Sequence, residues 1–63
     1  MVRFELCKGI SGKWFWRIVG NNNKILCHSE LYSARNKALK TMTLVQEKAL
    51  RATVYEKHLE DKV

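Results

Sequence analysis

Proline is missing from this 63-residue chain, glycine occurs three times and cysteine twice. Two cysteines are too few for a disulfide scaffold, and in a reducing setting Cys7 and Cys27 are expected to be free thiols. Apolar residues never run beyond two or three in a row, far short of the roughly 18 needed to cross a bilayer. Met1 to Gly9 has no apolar signal-peptide core either, so the expectation is a cytoplasmic protein with no membrane partner. Acidic residues are scarce, with 6 Asp or Glu against 12 Lys or Arg and a formal net charge of +6.

The machinery of common chemistries is also lacking. There is no Gly-rich phosphate loop, nucleophile elbow or paired acidic motif. Cys7, Cys27, His28 and His58 have none of the close paired spacings of a zinc site. Cys27 and His28 are neighbours on an expected strand and therefore point to opposite faces, which excludes them as a catalytic pair. Cys7 with a distant His is the only nucleophile left for an enzyme or redox protein. The expectation is no enzyme and no cofactor.

What is present describes a folded domain. Apolar residues make up 46% of the chain and charged residues 29%, well outside the disordered class. One domain over residues 1–56 and a charged tail over 57–63 account for the length. A chain this short buries only about 60% of its unfolded surface, so a dimer is expected to supplement the core.

Val2, Phe4 and Leu6 alternate with Arg3, Glu5 and Cys7, the period of a strand with one face on a core. Two glycines in Lys8-Gly9-Ile10-Ser11-Gly12 supply a reversal. From about Lys13 a second strand places Trp14, Trp16 and Ile18 on one face and Phe15, Arg17 and Val19 on the other. Gly20-Asn21-Asn22-Asn23 is the next turn, and Lys24 to His28 reads as a third strand of open register. From Ala34 to Arg51, Ala34, Ala38, Met42, Val45 and Ala49 form a helical stripe edged by Leu39 and Leu50. Ser33 is the expected N-cap and Tyr32 a hydrophobic staple.

Around Leu50-Arg51-Ala52-Thr53 no Gly, Asn or Pro stops the helix and folds the chain back. Thr53, Val54, Tyr55 and Glu56 nevertheless look like a short strand. A strand so close behind a helix has difficulty returning to its own sheet, so it is expected to pair with a neighbouring chain.

Several of these local patterns coincide in order and spacing. Gly12, Trp14, Trp16, Arg17 and Ile18 are followed by Asn22, Ile25, Leu26, Cys27 and Ser29, then Tyr32, Ser33, Arg35 and Ala38. Over about residues 3–48 the chain resembles the YegP-like family of small bacterial proteins, a domain of unknown function. Asn23 stands where that family usually has a turn glycine, and Phe15 where a charged or polar residue is common. The resemblance implies an α+β fold of order β-β-β-α-β: a three-stranded antiparallel meander, a helix across one face and a C-terminal strand exchanged between two copies. The chain has no internal repeat, so the resemblance implies a homodimer. It implies no catalytic residue.

Three groups of residues are candidate contacts. Trp14 and Trp16 would stack nucleic-acid bases if exposed, but the helix must bury its stripe against their face, which favours the core. Phe15 beside Arg17 on the other face is a candidate ligand or partner contact, dimer packing being the simpler explanation. Lys37, Lys40, Lys48 and Arg51 share one arc of the helix with Leu44 among them and Glu47 at its margin. That arc is either a solvated face, with Glu47 partly offsetting Arg51, or a phosphate contact. The expected function is a non-enzymatic protein-interaction module, with nucleic-acid binding through the basic helix face or the exposed sheet face as the alternative.

Overall fold

Two turns of the same design set the sheet. In the computed structural model, which describes residues 1–59, the Gly12 amide donates to the Gly9 carbonyl (3.0 Å) and the Gly9 amide to the Lys13 carbonyl (2.8 Å). Eleven residues later the Asn23 amide donates to Gly20 (3.0 Å) and the Gly20 amide to Lys24 (2.8 Å). The fourth residue of each turn is left-handed, Gly12 at φ 84° and Asn23 at φ 63°. Asparagine tolerates that conformation better than other residues with a Cβ, which is why it replaces glycine in the second turn.

These turns join β1 (Arg3–Lys8), β2 (Trp14–Val19) and β3 (Ile25–His28) into an antiparallel sheet with β2 in the centre. Phe4 lies opposite Ile18 and Leu6 opposite Trp16, while Glu5 lies opposite Arg17 and Cys7 opposite Phe15. The two faces expected from the alternation are thus in register. The register of β3, left open by its sequence, has an irregularity: Ile18 pairs with Cys27 and Val19 with Ile25, which leaves Leu26 as an extra residue. Such an insertion bends a strand.

Beyond β3 the chain stays beside β2. The Trp16 amide donates to the Ser29 hydroxyl (3.0 Å), the Ser29 amide donates to the Trp16 carbonyl (2.9 Å), and Trp14 and Tyr32 exchange two backbone hydrogen bonds. Helix α1 (Arg35–Lys48) then crosses back over β2 and β1, and a 3₁₀ turn at Ala49–Arg51 prolongs it. Ala38, fully buried, lets the helix lie close to the sheet. Trp16 is buried beneath it, its ring 6.0 Å from that of Phe4, and its indole N–H donates to the Thr41 hydroxyl at 2.9 Å. That hydroxyl donates in turn to the Ala38 carbonyl (3.0 Å), so a partly buried polar chain ties sheet to helix.

Two expectations are corrected. Trp14 is half-buried rather than core, because it lies near the start of α1, where Lys8 Nζ (5.8 Å) and the Arg35 guanidinium (5.9 Å) flank its ring. The N-cap is Ala34, in extended conformation and without a side-chain cap, one residue later than Ser33. Ser33 therefore lies outside the position from which a hydroxyl reaches the first-turn amides. Replacing Ala34 by Asp is expected to add that missing acceptor, stabilising the domain by about 1 kcal/mol. In a thermal melt this corresponds to a rise of roughly 4–8 °C.

The strand expected at the end of the chain has a second copy as its expected partner. Within one chain Thr53, Val54, Tyr55 and Glu56 join no strand of the sheet, and the segment from Ala52 to Leu59 carries no regular structure. Of the charged tail over 57–63, residues 60–63 lie outside the described residues. Among the described residues no helix is long and apolar enough to cross a membrane.

Candidate functional site

The sheet face away from α1 carries a charged cluster. Glu5 accepts hydrogen bonds from Arg17 Nε at 2.7 Å and Arg3 Nε at 2.9 Å, and Arg3 Nη1 also donates to Asn23 Oδ1 at 3.1 Å. The register makes this possible, since Glu5 and Arg17 are directly opposite on neighbouring strands. Arg17, a candidate ligand contact in the sequence, is thus committed to a carboxylate of its own chain. Phe15, next along β2, is half-buried and lines an open apolar cavity of about 510 Å³ with His28, Ser29, Glu30 and Leu31.

The Arg17 hydrogen bond, and after it that of Arg3, holds the Glu5 carboxyl below the usual carboxylate range, outweighing the opposing effect of burial. A depressed folded-state pKa contributes stability that is complete above the unfolded value, about 4.3 for Glu, and is lost as pH falls through the folded value. Glu5→Gln should therefore flatten the fall of melting temperature as pH drops below about 5. Parallel pH profiles for the two proteins would contradict this assignment.

The helix candidates lie on the other side of the molecule. Lys37, Lys40 and Lys48 are exposed, Leu44 is 53% exposed among them, and Arg51 is exposed on the 3₁₀ turn that follows. The structure brings these five together and separates them by the whole sheet from Phe15 and Arg17. The expected ion pair between Glu47 and Arg51 is not among the close ion pairs of the described residues, which join Arg3 and Arg17 to Glu5 and His58 to Glu56.

A second cavity, of about 330 Å³, was not legible as a site in the sequence. Val2, just before β1, and Phe4 and Ile18 from the sheet meet Val45 and Gln46 from the end of α1 and Ala49 from the 3₁₀ turn. Its only sequence signal is that the apolar stripe of the helix continues past the residues that Trp16 covers. Just beyond it in the chain, Val54 is 91% and Tyr55 77% exposed.

Cys7 is half-buried and Cys27 exposed, both as free thiols. Cys7 shares the face of Phe15 and Cys27 that of Ile18, so the two are on opposite sides of the sheet. Among the described residues no three His, Cys, Asp or Glu side chains come together as a metal site would require.

Residues 11–56 match the model of a protein family described as a domain of unknown function, DUF1508. Among solved structures, the NMR solution structure of a protein from Haloferax volcanii is similar to this chain, with a TM-score of 0.75 and 32% sequence identity. The match covers 89% of this chain and 95% of that one. No curated protein matches the chain.

Proposed function

Since this chain belongs to the DUF1508 family of domains of unknown function, we propose that it acts as a homodimeric, non-enzymatic protein-interaction module with its C-terminal segments exchanged. The observation that carries this reading is the pairing of an unfilled apolar cavity with an apolar segment that has nothing to cover it. Val54 and Tyr55 stand largely in solvent, while Val2, Phe4, Ile18, Val45 and Ala49 leave a hollow between sheet and helix. β1 is an edge strand, and its outer backbone groups are a ready template for one more strand.

In the proposed dimer, Thr53 to Glu56 of one protomer add along β1 of its partner. Successive strand residues alternate between faces, so one of Val54 and Tyr55 enters the hollow beneath the helix and the other lies on the opposite face. Filling the hollow supplements a core whose buried apolar residues, among the described residues, are Trp16, Val19 and Ala38. The finer placement among YegP-like proteins rests on Gly12, Trp14, Trp16, Arg17 and Ile18 in their spacing. A cytoplasmic setting is part of the same proposal, since two cysteines are too few for a disulfide scaffold.

Sedimentation equilibrium at micromolar concentration tests the assembly. The expected mass is that of two chains, and a folded species with the mass of one chain would overturn the proposal.

A further inference from the structure

We infer that the outer face of α1 binds the phosphate backbone of nucleic acid without reading its sequence, a role that does not depend on how the C-terminal segment is placed. Lys37, Lys40, Leu44 and Lys48 fall within about 80° of helix circumference. Lys37 and Lys48 are about 16 Å apart along the axis at 1.5 Å per residue, and Arg51 extends the row on the following turn. All four cations are exposed, and the close ion pairs of the described residues involve other groups. Glu47 stands at the margin of the arc, so the face offers a concentrated positive charge that no close ion pair among the described residues neutralises.

A polyanion that presents several phosphates over this length fits this face. Each strand of a DNA duplex presents a phosphate every 3.4 Å along the axis, about five over the length between Lys37 and Lys48. The chain's +6 net charge favours the encounter with any polyanion, but the spacing concentrates contact on one side of the molecule. The side chains on the arc also define what it cannot do. Base recognition in a groove uses forked Arg, Asn or Gln side chains, whereas three of the four cations here are lysines, which act as point charges. Leu44 at the centre offers no hydrogen bond at all. Contacts of this kind position a protein on the backbone and carry no sequence information.

The test is a titration of the intact protein with a 20-base-pair DNA duplex at two salt concentrations, using two unrelated base sequences. With four phosphate contacts the affinity is expected to fall roughly 150-fold between 50 and 200 mM salt, equally for both sequences. In Lys40→Ala/Lys48→Ala two contacts remain and the fall shrinks to roughly 12-fold. The control Lys13→Ala/Lys24→Ala removes the same net charge from exposed positions in the two turns and should keep the wild-type salt dependence. Leu44→Glu puts a carboxylate in the middle of the arc and should abolish binding while leaving the thermal melt unchanged. Equal losses in both lysine pairs would reduce the effect to net charge and overturn the inference. It is equally overturned by no duplex binding at 50 mM salt, or by poly-glutamate binding as tightly as the duplex through Lys40 and Lys48, which would assign the face to an acidic protein.

Discussion

Trp16→Ala is expected to leave the domain largely unfolded at 25 °C. Removing a buried Trp side chain costs about 3–5 kcal/mol through lost transfer energy and the cavity left behind. At roughly 0.05–0.15 kcal/mol per residue, a chain of this length has a total stability of the same order. The loss is sharpened because Trp16 is both the largest buried side chain among the described residues and the donor to Thr41. Trp16→Phe keeps the ring contact with Phe4 and loses the indole N–H, so its cost should be nearer 1–2 kcal/mol. Trp14→Ala should also be mild, since that ring is only half-buried. Urea titrations followed by circular dichroism rank the three variants, and a Trp14 variant as damaged as the Trp16 variant would show that the core is misassigned.

The second large effect is expected from Val54→Asp/Tyr55→Asp. In a single chain both positions are largely exposed, and surface substitutions of that kind usually stay within about 0.5 kcal/mol. In the exchanged dimer each protomer buries an apolar side chain against its partner, at about 1.5–3 kcal/mol per residue, and a carboxylate there opposes burial strongly. The symmetry of the pair applies the penalty twice. The double variant is therefore expected to sediment as one chain and to melt at a markedly lower temperature than the wild type. Unchanged mass together with an unchanged melt would dismiss the exchange.

Much of the architecture was legible because it is written locally. Phe4, Leu6, Trp14, Trp16 and Ile18 alternate with residues of the other face, and Gly12 and Asn23 fall where the backbone turns left-handed. The helix was legible from its periodicity, and Ala38 from its small size at the centre of the stripe. What escaped depends on relations between elements. The extra residue at Leu26 is set by how β3 meets Val19, and Ser29 acts by accepting from the Trp16 amide across the sheet. The Ser33 cap failed by one residue, since the helix begins only where the chain clears its bridge between Tyr32 and Trp14. The site residues divided likewise: the lysine arc follows from helical spacing, whereas the capture of Arg17 by Glu5 requires the strand register.

The pair of matching turns has a consequence for the order in which the molecule comes together. Both reversals close over a handful of neighbouring residues, so the meander can collapse on a lone chain within microseconds to milliseconds, before any encounter with a second one. In the proposed dimer only the segment behind Ala52 has to wait for company. On that proposal a newly made chain has its recognition edge built before it meets a mate, and concentration governs the last step alone.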